Sequence, residues 1–345
     1  MIRWLTFPEA VNLALTREME VDPRVFCFGV DVQDHKRTFG SGQGLVERFP
    51  GRYFGSPLSE AGATGIALGA ALAGMRPVHI HARADFLLLA MNQLCNVASA
   101  KRYLSGGRLA VPLTVRAIVG RSWGQGAQHS KTMHGTLAHF PGLKVVLPAT
   151  PQDGYSLLRG AIQDDNPVVV LEHRWLYGLT GEVDDEVICP PGRCRVAREG
   201  RDLTLVGVSW MTQECLHAAD ILARVGVEAE VVDVRSAAPL DMLTIMDSVV
   251  KTKRVIIVDN DWPFCGLSAE IAAQITTECF RWLKDPPRRI GWAPCPCPTT
   301  YALEQQFYPS AREIVRAAEG MLGLKEMDVS GEKFAEYATL FRGPF

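Results

Sequence analysis

The chain has 345 residues, of which 47% are hydrophobic and 21% charged, a composition that fits a globular protein long enough for two α/β domains. Its formal net charge of −2 gives no global electrostatic case for nucleic acid or an anionic membrane as partner. Met1–Pro8 lacks a signal-peptide h-region, and no apolar run reaches the roughly 18 residues needed to span a bilayer, so a soluble cytoplasmic protein is expected. The nine cysteines show no repeated metal spacing. Cys295 and Cys297 form a CxC with no second Cys/His pair close by, which reads as reduced thiols rather than a zinc site.

Residues 7–20 place Ala10, Leu13, Ala14 and Met19 near helical spacing and predict an amphipathic helix. Val25–Val30 is a short apolar run containing Gly29, the pattern of a buried parallel strand. The Gly-rich stretch 39–44 lacks the Gly-Lys-Ser/Thr of a phosphate loop and lies too far after that strand for a dinucleotide-binding turn. Residues 59–74 form a helix of small side chains behind Ser59 as N-cap, with Gly and Ala thinning it for close backbone approach. Strands follow at 77–82, 113–119, 144–147 and 167–171, with a helix at Asp153–Ile162. This alternation predicts a parallel, doubly wound sheet. The pattern breaks over 178–200 and resumes as strand 202–208, helix 212–225, strand 229–234, helix 241–250 and strand 254–259. The expected domains are therefore 1–180, a linker at 181–200, a smaller α/β domain at 201–324 and a tail at 325–345.

Three segments in order carry a family resemblance. They are Ser56-Pro57-Leu58-Ser59-Glu60-Ala61-Gly62, then Ala127-Gln128-His129-Ser130, then Pro141–Val146 with Asp165–Glu172. Together they resemble the E1 β subunits of pyruvate and branched-chain 2-oxoacid dehydrogenases, within the transketolase-like thiamine-diphosphate enzymes. The likeness runs from about residue 5 to about residue 320. It implies a pyrimidine-binding domain followed by a transketolase C-terminal domain. It also implies an α subunit, in an α2β2 tetramer, that binds Mg²⁺ and the diphosphate through a Gly-Asp-Gly motif absent from this sequence.

Thiamine chemistry needs a carboxylate that hydrogen-bonds the aminopyrimidine ring, so that the ring's exocyclic nitrogen can take the C2 proton. Read from the residues alone, Glu60 is a first-turn carboxylate favoured by the helix dipole. The resemblance makes it the cofactor-activating acid, with Leu58 and Phe86 as further cofactor contacts and Phe86 stacking on the ring. It makes His129 a second catalytic residue, placed to hydrogen-bond the substrate or move a proton during acyl transfer. His134 and His139 follow closely but lack the carboxylate or thiolate support of a metal site. The family's structural K⁺ maps to Leu113, Ala161, Ile162, Asp164 and Asn166, where a helix C-terminus offers free carbonyls.

Some positions depart from the family pattern. Gly29-Val30-Asp31 lacks one carboxylate, Ile80 stands where an acid is common, and His79, His81 and Arg83 make their segment basic. Arg121 and Trp123 replace smaller residues. The expected activity is decarboxylation of a 2-oxoacid with acyl transfer to a lipoyl-bearing acyltransferase. The alternative is a two-component transferase that moves a C2 or acyl unit to an aldehyde, imine or carrier-bound acceptor.

Overall fold

The computed structural model describes residues 1–34, 38–120 and 124–334. They divide into two compact units, one within Met1–Gly120, His129–Gly192 and Ala237–Pro239, the other within Arg121–Gln128, Arg193–Ser236 and Leu240–Phe345.

The first unit opens with strand β1 (Ile2–Thr6) and helix α1 (Phe7–Val21). Thr6 and Glu9 close a capping box at the junction, which satisfies backbone N–H groups at the helix start. The strands that follow are β2 (Val25–Gly29), β3 (Tyr53–Gly55), β4 (Arg76–His81), β5 (Thr114–Val119), β6 (Lys144–Val146), β7 (Val168–His173) and β8 (Thr180–Asp184). Between them lie α2 (Leu45–Arg48), α3 (Glu60–Leu72), α4 (Ser99–Leu104), α5 (His134–Ala138) and α6 (Pro151–Gln163). Strands β2 to β7 pair in parallel in the order β6-β7-β5-β4-β2-β3. Every residue of β5 and β7 is buried, so both strands are mostly apolar with no period-two alternation, and their charged residues Arg116 and Glu172 pair with each other. Gly29 sits where a Cβ would come within 2.1 Å of the Ile80 carbonyl oxygen, so only glycine lets β2 lie this close to β4. Strand β8 pairs antiparallel with β1, setting Thr6 opposite Thr180.

The second unit carries β9 (Arg195–Arg198), β10 (Leu203–Gly207), β11 (Ala229–Asp233), β13 (Val255–Val258) and β14 (Arg288–Ile290) in the order β14-β13-β10-β11-β9. Strand β12 (Ser236–Ala238) joins the sheet of the first unit beside β6. Helices α7 (Met211–Ala223), α8 (Met242–Thr252), α9 (Leu267–Cys279), α10 (Tyr301–Phe307) and α11 (Ala311–Leu322) complete the second unit. Two expectations change here. Residues 181–200, read as a linker, hold most of β8 and all of β9, and the boundary between the two units falls between these strands at Gly192. Residues 325–334 of the expected tail pack on the second unit, with Glu332 paired to His217 and Arg224. The remainder of that tail, 335–345, lies outside the described residues.

Candidate functional site

Strand order places the site. From β2 the chain steps outward to β3, and α3 then returns it to β4 on the other side of β2. The order in which the chain adds parallel strands therefore reverses between β2 and β4, and ligands of open α/β sheets bind at the carboxyl ends of strands beside such a switch point. Each catalytic or cofactor residue expected from the sequence follows the carboxyl end of one of these strands. Leu58 and Glu60 follow β3, Phe86 follows β4, and His129 follows β5.

Glu60 is the first residue of α3, and Ser59 stands at the N-cap but makes no side-chain capping bond. The Glu60 carboxylate is half-buried and has no hydrogen bond or ion pair among the described residues. It is free to accept a hydrogen bond from a ligand. Helix α3 turns Ala63, Thr64, Ala67, Leu68 and Ala71 inward and packs against the 3₁₀ turn Ala84–Ala90, which carries Phe86. Phe86 meets His129 edge to face, with ring centroids 5.4 Å apart and planes at 82°. Leu58 is 77% exposed on the loop before α3 and does not join this contact.

A buried polar layer lies on β4, leading up to this rim. His79 stacks on Phe28 at 4.6 Å, and its Nδ1–H faces the Phe28 carbonyl oxygen at 3.3 Å. His81 meets His79 edge to face at 4.3 Å and has Thr64 Oγ1 3.5 Å from its Nε2. Burial pushes the His79 imidazole down to about 4, with its bond to Phe28 opposing, and pushes His81 well below its ordinary range. This corrects the reading of a basic segment: both imidazoles are neutral at physiological pH because charging them would require hydrating a closed interior. The guanidinium of Arg83 is also buried and donates to the Gly120 carbonyl at 3.3 Å. Gly120 has φ +72°, and a Cβ there would sit 2.2 Å from the ring of His173.

An acid-stability prediction follows. A His held neutral in the fold binds its proton first in the unfolded chain. His79 therefore contributes no penalty above about pH 6.5, and stability is lost as pH falls from there towards its folded value of about 4. At pH 5 the expected cost from His79 alone is roughly 2 kcal/mol relative to pH 7. Urea midpoints at the two pH values, compared with those of His79→Phe, check this; equal pH sensitivity in both proteins would rule it out.

Asp85 and Lys131 were not anticipated as part of the site. They flank Phe86 and His129 in sequence and form an ion pair, with Lys131 Nζ 3.0 Å from Asp85 Oδ1. Burial raises the Asp85 carboxyl above its ordinary value, and Lys131 opposes that rise. An acid beside one candidate residue and a base beside another is the only sign in the sequence, and it does not show that the two segments meet.

Several of the expected cation ligands already carry hydrogen bonds. The Leu113 carbonyl accepts from Val168 N–H at 2.9 Å, and the Ala161 carbonyl from Thr114 Oγ1 at 3.2 Å. Asp164 Oδ1 accepts from both nitrogens of Asn166 at 2.9 and 2.8 Å. Three side-chain cations already serve this shell, Arg102 donating to Asn166 Oδ1 at 3.1 Å. Arg76 donates to the carbonyls of Ile162 and Asp164 at 3.0 and 3.1 Å, and Lys144 pairs with the Asp164 carboxylate. His134, also considered for metal binding, is buried against Thr132 at 2.8 Å. The departures at Arg121 and Trp123 lie outside the described residues.

Comparison with known proteins agrees with this layout. Residues 4–180 match the transketolase pyrimidine-binding domain, and residues 192–314 match the transketolase C-terminal domain. The β-2 subunit of the pyruvate dehydrogenase E1 component from Oryza sativa subsp. japonica is 40% identical over 91% of this chain and 85% of its own length. The chain belongs to the transketolase-like E1 β-subunit family. Another relative, the β subunit of acetoin:2,6-dichlorophenolindophenol oxidoreductase from Cupriavidus necator, is 38% identical over 92% of this chain and 97% of its own length. A split-gene transketolase, solved as an inactive β4 tetramer, superposes with a TM-score of 0.75 over 93% of this chain and 99% of its own. At 23% identity that structure supports the fold alone.

Proposed function

We propose that this chain is the β subunit of a two-component thiamine-diphosphate enzyme that decarboxylates a 2-oxoacid and passes the acyl group to a lipoyl-bearing acyltransferase. The observation that carries the reading is the unpartnered Glu60 carboxylate at the head of α3, on the same rim as the Phe86–His129 pair. These residues suit an aminopyrimidine. Glu60 would accept a ring N–H, and the half-buried Phe86 would hold the ring by contact area. When bound, the cofactor supplies a stabilised carbanion equivalent for cleaving the bond next to a carbonyl. The chain's own part is to keep an ionised carboxylate on the ring nitrogen and to offer the His129 imidazole for hydrogen bonding or proton transfer.

An α-type partner would bring Mg²⁺ and the diphosphate half of the site, in an α2β2 assembly. A cytoplasmic location belongs to the same proposal and rests on the sequence. Mixing the chain with its α partner, thiamine diphosphate, Mg²⁺, a panel of 2-oxoacids and a dye acceptor tests the activity; no turnover with any of them overturns it. Acylation of a lipoyl domain then separates this reading from the transferase. The transferase rested on changes around the pocket, and two of those, His79 and His81, are buried in the sheet instead of lining a surface.

We extend the proposal to a K⁺ ion on the carbonyls of Leu113, Ala161 and Ile162 with Asp164 and Asn166. The Leu113 carbonyl accepts from Val168 N–H and that of Ile162 from Arg76, whereas the Ala161 carbonyl already accepts from both Thr114 Oγ1 and Asp164 N–H, and Arg76 and Lys144 compete as cations. A higher melting temperature in KCl than in choline chloride of equal ionic strength is expected; identical melting removes the ion.

A further inference from the structure

The described contacts between the Phe86 turn and the His129 segment include two that lie side by side. One is the ring contact at 5.4 Å. The other is the ion pair one residue before Phe86 and two residues after His129. Asp85 Oδ1 receives both the Lys131 ammonium at 3.0 Å and, more weakly, the Lys131 backbone N–H at 3.4 Å. The Asp85 side chain is 5% exposed and that of Lys131 is 32% exposed, so the carboxylate is sheltered while the ammonium reaches it from the edge. Among the described residues Asp85 Oδ2 is buried without a hydrogen-bond partner, and Lys131 is the cation paired with this carboxylate. An edge-to-face ring contact is comparable in strength to the rotamer freedom it must suppress, and alone it holds a loop side chain poorly. A charge-assisted hydrogen bond to a desolvated carboxylate is stronger and directional.

We propose that Asp85 and Lys131 are a positioning pair that fastens the His129 segment to the Phe86 turn and so sets the His129 imidazole at the mouth of the site. Neither residue touches reacting atoms; they act through His129. This deepens the functional reading above and rests on it for its catalytic consequence, while the geometric claim stands apart from it.

The test uses the isolated full-length chain, with its eight histidines labelled with ¹³C in the ring. His129→Asn assigns the His129 signal, and Phe86→Leu shows how far the Phe86 ring current displaces it. Lys131→Met is expected to return the signal towards its random-coil position. Lys131 lies partly at the surface, so this variant spares the core. Asp85→Asn combined with Lys131→Gln retains a neutral hydrogen bond of similar shape and is expected to restore the displaced signal. An unchanged His129 signal in Lys131→Met, or no recovery in the double variant, overturns the proposal.

In the reconstituted enzyme, kcat of Lys131→Met is expected to fall about tenfold through misplacement of His129, with KM changed less. The double variant is expected to recover most of the loss. If the wild-type enzyme shows no turnover with 2-oxoacids while the spectra behave as expected, the functional reading fails and the positioning pair stands.

Discussion

Turnover of the reconstituted enzyme is expected to fall about 10²- to 10⁴-fold when Glu60 is replaced by Gln, the range spanned by loss of a general acid–base group. The amide has the same shape but stays neutral, so it can neither hold nor exchange the proton that an ionised carboxylate shares with a ring nitrogen. Folding should be spared. Glu60 is half-buried and has no side-chain partner among the described residues, so nothing is left unpaired by the change. Its one local benefit, a negative charge at the first turn of α3, is worth well under ~1 kcal/mol at a partly exposed site. The measurement is kcat with a dye acceptor beside a melting curve of the isolated chain. Activity within a few-fold of wild type would remove Glu60 from the chemistry, and a collapsed melting curve would recast it as structural.

The second large effect concerns the floor of the same unit. Arg116 on β5 forms a two-pronged pair with Glu172 on β7, at 2.7 and 2.9 Å, with both side chains almost fully buried. Tyr177 donates its hydroxyl to the same carboxylate at 2.6 Å, and Arg116 also reaches Ser41 Oγ at 3.2 Å. Arg116→Met should destabilise the chain by about 3–5 kcal/mol, because Glu172 is left as a buried charge with only a neutral donor beside it. Pairing that change with Glu172→Leu should recover most of the loss, since a buried ion pair replaced by apolar groups of similar volume is often close to neutral. Urea denaturation of the two variants checks both statements. A loss below about 1 kcal/mol in the single variant would mean that the pair contributes little to the fold.

Much of the architecture was legible along the chain. The predicted elements at 7–20, 25–30, 59–74 and 202–208 fall within a few residues of α1, β2, α3 and β10, because hydrophobic period and Gly placement act locally. The short strands β3, β12 and β14 were not foreseen. Three residues are too few to show a period, and such strands exist because a neighbouring strand offers its hydrogen-bonding edge. The β1–β8 ribbon was missed for a related reason: its two halves lie on either side of β2 to β7 in sequence.

The same division runs through the site. Sequence by itself signalled the family and put forward Glu60, Phe86 and His129 as its candidates, because the residue types and their order survive without coordinates. It also put forward a set of cation ligands, at which the structure places the side chains of Arg76 and Lys144. Only the tertiary structure decided the protonation of His79 and His81, since burial, a property of the packed sheet, sets their charge. It alone revealed Asp85 with Lys131, because two residues 46 positions apart form an ion pair only once β4 and β5 are side by side and the segments beyond them meet. Chemical identity is written in the chain. Dielectric surroundings and partners are settled by what the fold brings together.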